Sequence, residues 1–161
     1  MSNGVKYWTL AALALLFIAA GYTRDFWALN VNYVLYFLQS GRETWEGHSF
    51  FNFMLPWPSQ HIYYTKYAIT LVFTLVNFVL SVAFIWVLFR NKALLKLLFA
   101  IYAVVTLVAL IFFLGGWVAN SLDEGYSYAR LLMGFLQSPV PVATLSLGYP
   151  LYRNSQDSMK R

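Results

Sequence analysis

The chain has 161 residues, 60% of them hydrophobic and 11% charged, with a mean hydropathy of +0.59. A water-soluble domain this small carries more polar surface, so most of the apolar area must face lipid or other helices. The net charge of +5 is scattered over the ends of apolar runs, which reads as membrane topology rather than nucleic-acid binding, and the lack of cysteine excludes disulfides, thiolate metal sites and cysteine nucleophiles.

The first apolar run, 7–22, follows Lys6 and measures about 24 Å if helical throughout, short for a span. With Ala19 and Ala20 near its end it imitates a secretory signal peptide. No clear small-x-small cleavage site is followed by a soluble mature domain, so the expectation is an uncleaved anchor.

The loop at 23–62 is too long for a minimal helix connection and too apolar for a free linker. Asp25 can cap a separate helix over 26–39, ended by Ser40 and Gly41. Its 14 residues are too few to cross a bilayer, so it is predicted to lie in the outer interface or tuck against the bundle. It is apolar on more faces than one membrane surface covers, and Trp27, Tyr33, Tyr36 and Phe37 are its candidate anchors for a protein partner. Farther on, the run from Phe50 to Pro58 cannot be regular helix through Pro56 and Pro58, and its Phe and Trp residues read as membrane-surface anchors. Glu43, Glu46 and His48 lie within six residues of one another, with His61 beyond. Two carboxylates and a histidine suit acid–base chemistry or a metal, but the spacing matches no metal motif and polar loops collect such residues anyway. No catalytic residue, metal ligand or cofactor is assigned.

The second and third spans, 63–89 and 97–118, contain the clearest signal in the chain. Ala68 to Phe89 and Leu97 to Val118 each run 22 residues without a charge, and the turn between them holds Arg90, Lys92 and Lys96. About 20 apolar residues suffice to cross the ~30 Å hydrocarbon core, and a basic turn marks the cytoplasmic side. A fourth span is predicted over 126–152. With both termini cytoplasmic, the inner side carries seven Lys and Arg (Lys6, Arg90, Lys92, Lys96, Arg153, Lys160, Arg161) against four outside (Arg24, Arg42, Lys66, Arg130). Trp8, Trp86, Tyr149 and Tyr152 then form the inner aromatic belt, and Tyr22, Tyr63, Tyr64 and Trp117 the outer one.

Polar residues inside the spans are ordered. In the second span Lys66, Thr70, Thr74, Asn77 and Ser81 fall four, four, three and four apart, one face of a helix. In the fourth, Arg130, Gly134, Gln137, Pro141, Thr144 and Gly148 step four, three, four, three and four. Such stripes either pack helices together or line a polar cleft for a ligand or partner segment. The two are predicted to meet, with Asn77 and Gln137 at matching depth. Pro139 and Pro141 must break the fourth helix and free carbonyls near Phe135 and Gln137, which neighbouring helices, Ser138 or water have to satisfy. Arg130 can snorkel outward, or pair with Asp123, Glu124 or an acid of the long loop.

The fold class is therefore an all-α integral membrane bundle: one domain over 1–161 with four transmembrane helices and an outer interfacial helix. The stretch from Leu75 to Ser81, the run Leu88-Phe89-Arg90-Asn91-Lys92, Arg130 with Gln137-Ser138-Pro139, and the ending Tyr149-Pro150-Leu151-Tyr152 resemble a small Bacteroidetes family, the exosortase F system-associated membrane proteins. The end of the outer helix, Tyr36-Phe37-Leu38, also looks similar. The resemblance implies an inner-membrane accessory of a protein-sorting system with no established activity, and an exosortase-type enzyme as its partner. The chain is not that enzyme, which is similar to cysteine proteases. The expectation is a non-enzymatic protein that binds the bilayer and a larger membrane partner. The alternatives are a small membrane enzyme or lipid-binding protein using the outer-loop acids and histidines, or a small subunit of a respiratory or transport complex.

Overall fold

A computed structural model describes residues 2–41, 44, 45 and 47–159, with the backbone alone for 122, 123 and 151–159. The described residues are helical apart from short turns. The elements are α1 (Asn3–Ser40), a 3₁₀ turn (Ser49–Met54), α2 (Ser59–Phe89), α3 (Lys92–Val118), α4 (Leu122–Leu136) and α5 (Val140–Met159). Three helices, α1 to α3, are long and apolar enough to cross a membrane; there are four crossings if α4 and α5, bent by 54° at their junction, count as one.

The first span and the predicted outer helix are one continuous α1 of 38 residues, about 57 Å long. Asp25 does not cap a new helix. Its carboxylate pairs with Arg24 at 2.7 Å instead, and with that charge neutralised the backbone runs on through 22–26 without exposing amide groups. The helix stops where expected, at Ser40, with Gly41 in the left-handed conformation (φ 63°) that a glycine adopts freely. The remaining helices also outrun the predicted spans. α2 starts right after Pro58, and α3 starts after a two-residue turn in which Asn91 caps the helix by accepting from the Ala93 amide at 2.8 Å.

α1 packs antiparallel along α2. At one end Lys6 donates to the Leu88 carbonyl at 2.9 Å, satisfying one of the last free acceptors of α2; at the other, Gln39 donates to the Tyr63 hydroxyl at 3.0 Å. α3 and α4 form the second close pair. They approach backbone to backbone: a Cβ on Gly125 would lie 2.6 Å from the Phe112 carbonyl oxygen and 2.7 Å from the Gly116 Cα. α5 then runs back toward the α2–α3 turn, where Asn91 donates to the Tyr149 hydroxyl at 3.0 Å and Phe89 packs edge-on to the Tyr149 ring.

Two apolar cores result. The larger draws Phe17, Ile85, Leu94, Leu98, Tyr102, Leu136, Val142 and Leu145 from all five helices. The smaller closes the far end with Val31, Val34, Leu35, Phe51, Met54 and Ile62. Phe51 of the 3₁₀ turn is thus a core residue rather than a surface anchor, buried together with Met54, whereas Phe50, Phe53 and Trp57 stay exposed.

The glycine crossing gives a sharp test. Gly125→Leu should force α4 off α3 and lower the unfolding free energy in mixed micelles by about 1–3 kcal/mol, the usual cost of overpacking. Gly115→Leu, at a position where an added Cβ would meet no atom of another segment within 4 Å, should cost far less.

Candidate functional site

The junction of α4 and α5 is the polar centre of the molecule. Pro139 and Pro141 have no amide hydrogen to offer Phe135 and Gln137, and the chain turns before Val140 can reach Leu136. Each of the three carbonyls is met by another donor. The Ser138 hydroxyl donates to Phe135 at 2.7 Å, the Tyr102 hydroxyl of α3 to Leu136 at 3.0 Å, and the Arg24 guanidinium of α1 to Gln137 at 3.3 Å. The Val140 amide turns to the Ser138 hydroxyl at 3.3 Å.

α2 supplies the fourth connection. The Gln137 amide donates to the Thr70 carbonyl at 2.8 Å and to the Thr74 hydroxyl at 3.0 Å. The Ser81 hydroxyl, itself bonded to the Asn77 carbonyl at 2.7 Å, lies 3.2 Å from the Tyr102 hydroxyl. The two stripes therefore meet at Gln137. Asn77 is buried beside them, with its amide donating to the Phe73 carbonyl of its own helix. The stripe predicted along 130–148 does not survive the bend: Gln137 and Pro141 are buried, but Thr144 is exposed because α5 departs from the axis of α4.

Directly beside the junction is a cavity of about 160 Å³ between α1, α2 and α4. Its charged lining is Arg24, Lys66 and Arg130 against the single carboxylate of Asp25. Arg24 is paired with Asp25 through both Nε and Nη2. Lys66 lies over the rings of Tyr63 and Tyr126, at 5.7 and 5.6 Å, and makes no ion pair among the described residues. Arg130 makes none there either. Glu124, six residues before Arg130, is on a different helical face, and the Asp123 side chain lies outside the described residues. A second cavity of about 400 Å³, almost wholly apolar, opens between α2, α3 and α4 and shares Thr70, Tyr126, Arg130 and Met133 with the first.

The predicted partner anchors divide into two sets. Trp27 packs against Phe50 and Phe51 at 5.9 and 5.1 Å, and Phe37 against Trp45 at 5.6 Å, so both hold the far end of the molecule together. Tyr33 and Tyr36 are exposed. Of the loop's acid–histidine set, Glu43 and Glu46 lie outside the described residues. His48 serves the fold: its Nδ1 accepts from the Phe50 amide at 3.2 Å, its own amide donates to the Asn30 side chain, and its ring packs on Phe26. Two residues of the polar centre do not stand out in the sequence. Arg24 reads there as an outer-loop charge, and Tyr102 as one more aromatic in an apolar span; the available signal is that a mid-span phenol needs a hydrogen-bond partner.

Comparison with protein-family models, curated proteins and solved structures finds no match to this chain.

Tyr102→Phe should destabilise the fold by several kcal/mol, since the Leu136 carbonyl loses its donor inside the membrane. Ser81→Ala should cost much less in that background than in the wild type. A double-mutant cycle of unfolding free energies measures that coupling, and additive effects would show that Ser81 and Tyr102 act separately.

Proposed function

We propose that this protein is a non-catalytic, four-span membrane protein of a bacterial inner membrane, with both termini in the cytoplasm, that works by holding a larger membrane partner. The observation that carries this reading is the length of α1. Lys6 is tied to the end of α2 beside the basic turn, and about 20 residues then suffice for the ~30 Å hydrocarbon core. The rest of α1, from Phe26 to Ser40, continues past that level with the 3₁₀ turn and the start of α2 packed on it.

This projecting end is rich in exposed rings: Tyr33, Phe50, Phe53, Trp57 and Tyr64. Aromatic side chains supply much of the binding energy of protein interfaces, at about 2 kcal/mol or more for a buried hot spot. The reading of α4 and α5 as one broken span rests on Tyr149 lying against Asn91 and Phe89, while α4 starts at the opposite end of α3. The cytoplasmic assignment of the termini rests on the excess of Lys and Arg at that end. An exosortase-type sorting enzyme is the partner suggested by the sequence resemblance, and co-purification in mild detergent tests it.

Two experiments check the proposal. The chain has no cysteine, so single cysteines at Ser49 and Ser155 report topology cleanly. In intact spheroplasts an impermeant maleimide should label Ser49→Cys and spare Ser155→Cys; the reverse pattern would invert the orientation. Second, Tyr33→Ala combined with Phe53→Ala should release a co-purifying partner at least tenfold, with unchanged membrane insertion. Glu43→Gln, Glu46→Gln and His61→Ala should leave the complex intact, and loss of function with those three alone would favour an enzyme.

A further inference from the structure

We propose that the cationic cavity and the apolar cleft beside it form one binding site for an anionic phospholipid, the phosphate held by Lys66 and Arg130 and an acyl chain lying along α3. Charge, depth and continuity support this independently of the partner reading.

Three cations face one carboxylate in the cavity, and Asp25 is committed to Arg24. Lys66 and Arg130 line this cavity together, so their like charges repel each other. Two neighbouring cations without a described counter-ion are costly at the edge of a low-dielectric layer, and an anion between them relieves both the repulsion and the desolvation. A phosphate suits the geometry because a guanidinium can present two parallel donors and an ammonium a third.

The depth is that of a lipid headgroup. Arg24 is 18 residues from Lys6, and Lys66 is 22 residues from Leu88, the pair that marks the other end of the hairpin. At 1.5 Å per residue these separations are about 27 and 33 Å, one hydrocarbon thickness. The cavity thus falls where phosphates of the distal leaflet lie.

The apolar cleft continues from that level toward the membrane centre. Tyr67, Tyr126 and Phe113 frame its upper end, and Thr106, two helical turns along α3 from Phe113, lines its lower end about 10 Å deeper. Tyr126 and Arg130 belong to both cavities, so a ligand seated on the cations has its attached chain directed into the cleft. A free inorganic anion would leave the cleft unused.

Native mass spectrometry of the full chain in detergent tests the site, with dioleoyl-phosphatidylglycerol, dioleoyl-phosphatidylcholine and inorganic phosphate as separate probes. Phosphatidylglycerol should be retained at least tenfold more tightly than phosphatidylcholine, and inorganic phosphate at equal concentration should not displace it. Lys66→Gln with Arg130→Gln should abolish that preference, and Lys66→Arg with Arg130→Lys should keep it. Leu110→Trp, which narrows the cleft from its exposed side, should weaken phosphatidylglycerol at least tenfold with the charges intact, so the test does not depend on the charge-deleted variant folding. Lys92→Gln with Lys96→Gln at the other end should change nothing. Equal retention of the two lipids, displacement by inorganic phosphate, or an equal effect of the Lys92 and Lys96 pair would overturn the proposal.

Discussion

A backbone carbonyl inside a bilayer has no water to turn to, and the proline-rich junction between α4 and α5 leaves three of them without their helical donors. The rest of the bundle is arranged around that need. Ser138 answers one locally, but Leu136 is met from α3 by Tyr102 and Gln137 from α1 by Arg24. The Gln137 side chain returns the connection to α2 through Thr70 and Thr74. Helices in lipid gain little from apolar association, and an ordinary interhelical hydrogen bond contributes only about 0.6 kcal/mol. The weight of this junction therefore comes from the cost avoided: an orphaned carbonyl there costs several kcal/mol. A break that each neighbour must repair fixes how the neighbours are placed.

One consequence is the position of charge. Arg24 can reach the Gln137 carbonyl only if α1 carries a guanidinium about 27 Å along from Lys6, and such a group is tolerable because Asp25 neutralises it on the spot. That placement leaves Lys66 and Arg130 across the cavity without a described carboxylate of their own. The two apolar cores lie on either side, the larger toward the basic turn and the smaller beyond the cavity. The charged cavity and the apolar cleft continuous with it are the features behind the proposed lipid site, and the exposed rings of the far end are those behind the proposed partner site.

Much of this is legible in the residue pattern because membranes impose few and strong rules. The uncharged runs in α2 and α3 identify those helices, and the stepping of Thr70 and Thr74 on one face anticipates their contact with Gln137. Pro139 and Pro141 announce the break and the carbonyls it frees. The misreadings have physical causes too. An Arg-Asp pair after a short apolar run looks like the end of a span, but adjacent opposite charges can satisfy each other and let α1 continue. Thr144 falls off its stripe because a periodicity of 3.6 holds only along an unbroken axis. Tyr102 is invisible as a polar residue because its hydroxyl finds its acceptor 34 residues away, a pairing that exists only after α3 and α4 have come together. The Gly116–Gly125 approach is equally non-local.

The central claim is that α4 and α5 form one broken crossing, held to α1, α2 and α3 at the break. Spin labels at Val118 and Leu147, both exposed, read this directly in nanodiscs through their relative accessibility to oxygen and to a polar nickel complex. The two sites should lie in opposite leaflets, with a third label at Val140 deepest of all. Val118 and Leu147 in the same leaflet would mean that the chain turns back at the prolines, and would contradict the single crossing.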